Sequence, residues 1–425
     1  MNAGRHGRPR AGVVAARTSP TRRVDRVWSR AVITRLFGEP LAAPVRTRTG
    51  TLRTATLAAT WRRFTPLAPR VGLTRVADLT GLDALGVPVW AAIRPLGRSL
   101  STSQGKGVSA AAARVSALME SLETWHAEER RPDRHASARA LGAATIARAR
   151  ALPRHARRFA LDAPRPWVRA VALPSGRAAW VPWEAVTLDT TGAAVRPPLF
   201  DVSSNGLASG NTLVEAVVHG LCEVIERDAE ARWRLSGDDR RVVLDTIADR
   251  MVRGLIERVT AAGARVWLWD LTSDVGVPVF GCGLMHDPDE PSWRAIGFYQ
   301  GFGCHLDPAV AMARAITEAA QTRMTYIAGA RDDFFPADYR QATDRRVLRR
   351  TWRRYAAPPL ESIDARDYAR PRVDDLGDAL AWLLAALAEA GTPEVLVVDL
   401  RQPGLDVPVV KVLVPGRATR LEGLG

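Results

Sequence analysis

Three stretches of this chain share one hydrophobic–polar rhythm. A short apolar run reads as a strand, a glycine-bearing segment reads as a turn, and a long apolar segment then carries polar residues at i, i+4 and i+7, which is one face of a helix. The first is Ser103-Gln-Gly-Lys-Gly107, followed by Ser116, Glu120 and Glu123. The second is Ser204-Asn-Gly-Leu-Ala-Ser-Gly210, followed by Glu215, His219, Glu223, Glu226 and Arg227. The third is Gly301-Phe-Gly-Cys-His305, followed by Arg314, Glu318 and Gln321. Ala, Val, Leu and Ile surround these stripes, so they are not ordinary solvated faces. Buried carboxylates call for cations, and glycine turns at helix N-termini suit phosphates. A metal-bound nucleotide is the occupant this pattern implies.

The rest of the chain reads as alternating helices and strands. The periodicity predicts helices over residues 54–64 and 379–389, the latter handing over to an apolar strand at 394–400. Residues 167–173 and 178–183 form a hairpin around Pro174-Ser-Gly176. An internal echo is also present: Asp78-Leu-Thr80 precedes Gly86-Val-Pro-Val89, Asp270-Leu-Thr272 precedes Gly276-Val-Pro-Val279, and Asp399-Leu400 precedes Asp406-Val-Pro-Val409. Each copy reads as strand, turn, strand, with proline at a strand start where its missing N–H is harmless. The fold class is therefore α/β (α+β), built from repeated strand–glycine turn–helix modules around a common centre. Frequent hairpins argue against a doubly wound sheet. Residues 1–50 read as a basic, disordered tail, 51–416 as one catalytic domain, 417–425 as a C-terminal tail, and 345–371 as an irregular connector.

Composition changes this picture little. The net charge of +15 resembles a nucleic-acid signal, but basic residues crowd the first 70 positions and no run interleaves them with aromatics. Nucleic acid is thus not the expected partner. Lysine occurs only at Lys106 and Lys411 among 60 basic residues, so Lys106, between two glycines, marks a place where a compact ammonium is wanted. Cys222, Cys282 and Cys304 have neither zinc-ligand nor disulfide spacing, and Cys222 reads as a core residue. No segment has signal-peptide or membrane-span length, so a cytoplasmic protein with no membrane attachment is expected.

The chemical weight of each residue differs. Ser103-Gln-Gly-Lys-Gly107 lacks the spacing of a P-loop, and such a motif alone is more often a turn. With the following glutamates, Lys106 becomes a phosphate contact and Ser103 or Ser116 hydroxyl donors. Glu120 and Glu123 sit among apolar neighbours, as do Glu223 and Glu226, and these four are the candidate magnesium ligands. Glu128 and Glu129 read as solvated. Glu215 is either a capping-box residue with Thr212 or a site residue. Arg227 either neutralises phosphate or pairs with Asp228 or Glu230. Asp307-Pro308 is an N-cap. Gln321 and Arg323 suit a phosphate or a substrate amide, while Glu318 reads as a tether for Arg314. His219 is more readily a core hydrogen-bonding residue than a functional one, and His126, His219 and His305 form no metal cluster by spacing.

Taken together, residues 103–128, 203–232 and 301–323, and less specifically 408–416, resemble the YcaO family of ATP-dependent enzymes that activate peptide backbone amides. The resemblance covers about residues 55–416. It implies a YcaO-like fold around a central ATP site, with ATP and Mg2+ as cofactors. Carried over by motif, Lys106 and Arg227 contact phosphates, Glu120, Glu123, Glu223 and Glu226 bind magnesium, and Ser116, Asn205 and Gln321 line the nucleotide site. The stretch Thr74-Arg-Val-Ala-Asp-Leu-Thr-Gly-Leu-Asp83, running on to Arg94-Pro-Leu-Gly-Arg-Ser99, resembles the TfuA-associated branch. That branch implies a TfuA-like partner, a ribosomally made peptide substrate, a sulfur donor and thioamide formation, with a homodimer left open. Two rivals stand beside it: an azoline-forming cyclodehydratase, and an accessory protein that binds nucleotide or nucleic acid without turnover. The chain lacks the Pro-x-Pro-x-Pro ending frequent among azoline-forming members, which weighs against the first.

Overall fold

The computed structural model describes residues 33–155, 160–191, 198–290, 296–329 and 331–417. Along the chain, a short hairpin of β1 (Arg35–Leu36) and β2 (Glu39–Pro40) precedes helix α1 (Leu57–Phe64), capped by Thr56. Strands β3 (Arg75–Asp78), β4 (Val89–Ile93) and β5 (Thr102–Lys106) lead into α2 (Ala110–Glu129). Next come β6 (Arg134–Ala136), α3 (Ala143–Ala151), and the hairpin β7 (Arg165–Leu173) and β8 (Arg177–Pro182). Strand β9 (Leu207–Ser209) feeds α4 (Leu213–Ser236), followed by β10 (Arg240–Val242) and α5 (Arg250–Ala261). Strands β11 (Ala264–Asp270), β12 (Val279–His286) and β13 (Tyr299–Cys304) lead into α6 (Pro308–Ala328). The chain continues through α7 (Pro336–Ala342), α8 (Arg345–Ala356), β14 (Glu361–Ile363) and α9 (Leu376–Glu389), and closes with β15 (Val395–Asp399) and β16 (Val409–Leu413).

Three antiparallel units recur: β3-β4-β5 with α2, β11-β12-β13 with α6, and β15-β16-β9 with α4. The last is permuted in sequence, because its third strand and helix come earlier in the chain than its hairpin. The repeated Asp-Leu sequences end the first strand of each unit. Asp78, Asp270 and Asp399 lie opposite Trp90, Phe280 and Val410, the second residues of the following strands. Each carboxylate accepts the backbone N–H two residues on, from Thr80 at 2.9 Å, Thr272 at 2.8 Å and Arg401 at 3.0 Å. The echo is thus a conserved turn chemistry within one chain, an Asx-type turn that closes each hairpin.

The glycines of the first and third motifs are not turns. Gly105 lies inside β5, and Gly301 and Gly303 inside β13. A Cβ on Gly105 would overlap Ala113 O and Ala117 N of α2, and one on Gly303 would overlap Ala311 O and approach Ala315 N. These positions let a helix backbone lie directly on the strand. In the permuted unit the strand carries Ala208, and the missing side chain is on the helix instead: a Cβ on Gly220 would stand 3.4 Å from that of Ala208 and 2.9 Å from Gly206 O. Gly206 itself is a true turn glycine, with φ +76°.

Several boundaries differ from the sequence-based expectation. Residues 33–50 pack onto the domain, with Leu36, Leu41 and Ala43 buried in the core shared by α4 and α9; residues 1–32 lie outside the described residues. Arg417 is buried between Asp228 and Asp274, so the domain includes the first residue of the expected tail, while 418–425 are outside the described residues. Residues 345–371 contain α8 and β14 rather than irregular chain. The expected hairpin of β7 and β8 and the helix α9 with strand β15 form as predicted.

Candidate active site

The three helices α2, α4 and α6 start from the N-caps Ser109, Thr212 and Asp307 and carry their stripes in the same register. Ser116, His219 and Arg314 lie seven residues past those caps. Glu120, Glu223 and Glu318 lie eleven past them, and Glu123, Glu226 and Gln321 fourteen past them. All nine line one cleft of about 1630 Å³. Each helix packs on its own strand and reaches the end of the next unit's strand. Glu123 of α2 accepts from Ser209 N at 2.8 Å and Ser209 Oγ at 2.6 Å, at the end of β9. Glu226 of α4 accepts from Cys304 N at 2.7 Å, at the end of β13. Glu318 of α6 is 2.6 Å from Lys106 Nζ, at the end of β5. The three units thereby close a ring around the cleft.

The cleft is crowded with carboxylates, and burial sets their protonation. It pushes Glu123 up to about 8, with Ser209 pulling back and Glu120 adding to the rise. It pushes Glu226 up to about 7, reinforced by Glu318 and opposed by Arg314 and Arg227. Burial also raises Glu120 against the pull of Lys106, and Glu223 against the pulls of Arg227 and Lys411. Glu318 alone goes the other way: burial pushes it up, but Lys106, Arg227 and Arg314 together hold it below the usual range. Anions desolvated in this way are cation-hungry.

Among the described residues no three Asp, Glu, His or Cys side chains are arranged to hold a metal ion by themselves. That fits magnesium, which typically binds through one or two carboxylates and completes its shell with phosphate oxygens and water. Glu223 accepts no hydrogen bond from any described residue and is half-buried, an uncommitted carboxylate facing the cleft. Glu120, Glu123, Glu223 and Glu226 are thus the groups that would hold Mg2+, and Lys106, Arg227 and Arg314 those that would meet phosphate.

The structure sorts the remaining expectations. Ser103, Ser116, Lys106, Arg227 and Gln321 all line the cleft, and Gln321 Nε2 donates to Gln104 O at 2.5 Å. Arg227 pairs with Glu230 at 3.0 Å while still bordering the cleft. Asn205 does not border it; it lines a small neighbouring cavity of about 30 Å³ with Ser203, Asp201 and Lys411. Arg323 is corrected: its guanidinium is 2% exposed and pairs with Asp83 at 2.8 Å, bracing α6 against the turn after β3. Glu318 tethers Lys106, not Arg314, whose guanidinium donates to His219 Nε2 at 3.1 Å. His219 is held well below the usual imidazole range by burial, then by Arg314, Arg53 and Lys106, so it is a neutral acceptor. Glu215 acts structurally. It accepts from Thr54 N at 2.8 Å, Thr54 Oγ1 at 2.7 Å and Asn211 N at 3.1 Å, fastening the segment before α1 to the start of α4. Glu128 is not solvated; it is buried against Arg94 and accepts from Ser99 Oγ at 2.6 Å.

Sequence reasoning missed Lys411. Its ammonium is buried, bonded to Ser203 O, and lowered to about 8 by burial, with Glu223 raising it back. The rarity of lysine that singled out Lys106 pointed equally to this residue.

The fold and the carboxylate-lined cleft define a nucleotide-using α/β protein with a magnesium requirement. The YcaO family profile, described as a YcaO cyclodehydratase that binds ATP and Mg2+, matches residues 104–418. The chain belongs to the YcaO family, and ATP and Mg2+ are its cofactors. It is 36% identical over 397 residues to an uncharacterised protein in the tfuA 3′ region of Rhizobium leguminosarum bv. trifolii, covering 87% of this chain and 90% of the relative. An uncharacterised protein of Methanothermobacter thermautotrophicus is 33% identical over 84% of this chain and 92% of its own. Among solved structures, YcaO from Methanopyrus kandleri bound with AMPPCP and Mg2+ superposes with a TM-score of 0.70 at 27% identity, over 89% of this chain and 95% of that one. A heterocyclase in complex with substrate and cofactor shares the fold, with a TM-score of 0.73 at 24% identity over 89% of this chain. This chain spans about half of that heterocyclase, 54% of its length.

Proposed function

We propose that the protein uses ATP to activate a backbone amide of a ribosomally made peptide and converts it to a thioamide, working with a TfuA-like partner and an external sulfur donor. The observation that carries this reading is a cleft supplied with cations and carboxylates but with no thiol of its own. Cys222, Cys282 and Cys304 are buried and none borders the cleft among the described residues. A sulfur nucleophile would therefore come from outside the cleft's own side chains. A relative lies in a tfuA 3′ region, which is in keeping with the resemblance to the TfuA-associated branch, and that resemblance implies sulfur as the nucleophile.

In this reading a hydrosulfide-type sulfur adds to the amide carbonyl, and the oxygen takes the negative charge. That oxygen attacks the γ-phosphorus of ATP, releasing ADP. Loss of phosphate, with the C–O bond breaking as the C=S bond forms, yields the thioamide. Bound Mg2+ would offset phosphate charge at Glu120, Glu123, Glu223 and Glu226. Lys106 and Arg227 hold phosphate oxygens, Ser103, Ser116 and Gln321 orient the nucleotide, and the buried walls exclude water. Three cysteines without disulfides suit a cytoplasmic setting. An azoline-forming cyclodehydratase is the second reading, favoured by the shared fold of the heterocyclase, and it differs only in taking its nucleophile from a Cys, Ser or Thr of the peptide.

The test is an accurate product mass after co-expression with a candidate peptide and a TfuA-like protein. Exchange of oxygen for sulfur supports the thioamide reading, whereas loss of one water replaces it with azoline formation. An unchanged mass, with ATP still bound, moves the chain to an accessory role.

A further inference from the structure

In each unit the third strand ends three residues before a helix cap: Lys106 before Ser109, Ser209 before Thr212 and Cys304 before Asp307. These are one structural position. Each lies across the ladder from the second valine of a Val-Pro-Val sequence, Val89, Val409 and Val279 in turn. Each also receives the carboxylate that a neighbouring unit's helix sends across the cleft: Glu318, Glu123 and Glu226 respectively.

What differs is the group that meets the carboxylate. Lys106 meets Glu318 with its ammonium at 2.6 Å. Cys304 meets Glu226 with its backbone N–H alone, at 2.7 Å, while its thiol is engaged by Cys222 in the core. Ser209 meets Glu123 twice, with its N–H at 2.8 Å and its hydroxyl at 2.6 Å. Both donors go to the same oxygen, Oε1. Ser209 is 2% exposed, so bulk water does not compete for either bond. Glu123 Oε2 takes no hydrogen bond from any described residue and is left open to the cleft.

Two donors on one carboxylate oxygen do what one donor does not. A single bond lets the group swing about it, whereas a second bond from another direction fixes its plane and aims the unused oxygen. A carboxylate held in this way offers a cation one oxygen, and its ordering is completed on folding instead of on binding. A hydroxyl serving only its own strand end would bond locally; this one crosses 86 residues of chain to the helix of another unit.

We infer that Ser209 is a positioning residue for the magnesium site, its N–H and hydroxyl fixing Glu123 through Oε1 so that Oε2 is presented to the cation. The inference rests on Glu123 being one of the groups that hold Mg2+, and it stands whichever peptide modification the cleft performs.

In the experiment Mn2+, a paramagnetic substitute for Mg2+, is titrated into the full chain with AMPPCP, and free metal is read by electron paramagnetic resonance. Ser209→Ala is expected to weaken Mn2+ binding by about tenfold. AMPPCP affinity without metal, read by calorimetry, should change by less than about twofold, because Ser209 acts on the cation's ligand and not on the nucleotide. Ser209→Thr keeps the hydroxyl and should stay within about threefold of the unaltered chain. In a Glu123→Gln background, adding Ser209→Ala should change Mn2+ affinity by less than about twofold, since the residue it acts through is already altered. Unchanged Mn2+ affinity in Ser209→Ala, beside a loss in Glu123→Gln, would overturn the role of Ser209 and leave the metal assignment standing. Unchanged affinity in Glu123→Gln would overturn that assignment, and the inference with it. Equal losses of metal and nucleotide in Ser209→Ala, or a Ser209→Thr chain as weak as Ser209→Ala, would mean a general disturbance of the cleft and overturn the inference as well.

Discussion

Helices α2 and α4 differ from α6 in what they carry on an otherwise identical frame. At the two positions deepest in register, α2 and α4 present Glu120 with Glu123, and Glu223 with Glu226, while α6 presents Glu318 with Gln321. Glu318 is further neutralised by Lys106 at 2.6 Å. Where α2 has Ser116 and α4 has His219, α6 has Arg314. A near-threefold arrangement of strands and helices thus holds a strongly asymmetric charge distribution. Two helices supply anions, and the third supplies an amide, a guanidinium and a paired carboxylate. Three complete glutamate pairs in one desolvated cleft would repel one another with no cation present. Replacing the third pair lowers that cost and leaves one wall suited to phosphate rather than metal.

The comparison is broken most severely at the helix–strand contacts beneath it. Gly105→Ala puts a Cβ into the backbone of α2 and is expected to cost more than about 3 kcal/mol, read as loss of cooperative thermal unfolding. In the permuted unit, Gly220→Ala is expected to destabilise too. Adding Ala208→Gly should recover about 0.5–1 kcal/mol of it, a coupling measured by a double-mutant cycle in denaturant. Full recovery is not expected, because Gly206 O and a methyl of Val412 also stand 2.9 Å from that Cβ.

Next come the charges. Glu226→Gln is expected to lower ATP turnover by about 100-fold, because it removes an anion from the group proposed to hold Mg2+. Glu318→Gln should cost only about tenfold, expressed mainly as a higher KM for ATP, because the residue steadies Lys106. Equal effects of the two would erase the distinction between α6 and its counterparts.

The remaining test is in pH. Glu123 rises from an ordinary 4.5 to about 8 in the folded chain, so the folded state binds its proton more tightly than the unfolded state. Between those values the nucleotide-free protein should lose stability as pH rises, and Glu123→Gln should flatten that slope in thermal melts. At pH 7 the binding of Mg2+ and ATP should expel protons, measured calorimetrically in buffers of different ionisation enthalpy. Glu123→Gln should reduce the number released.

Much of this was legible in the residues. The i, i+4, i+7 spacing placed three side chains on one face of each of three apolar helices, because helical period alone decides which residues share a face. The Asp-Leu and Val-Pro-Val echo located three hairpins, because an aspartate closing a turn acts within a few residues of itself. Local pattern was less informative where contacts cross long separations. Arg323 had the position of a phosphate ligand, yet pairs with Asp83 far back in the chain. Glu128 had the look of a surface residue, yet pairs with Arg94 in the interior.

The sequence by itself therefore determined the helices, their polar faces and the need for cations, since these follow from short-range periodicity and the cost of burying charge. Only the tertiary structure decided how the three faces meet. That strand β9 joins the hairpin β15–β16, that Gly105 and Gly303 are helix contacts rather than turns, and that Lys106 holds Glu318 all depend on backbones brought together from distant parts of the chain. Close packing between elements, unlike helical period, leaves no fixed spacing along the chain from which it can be read.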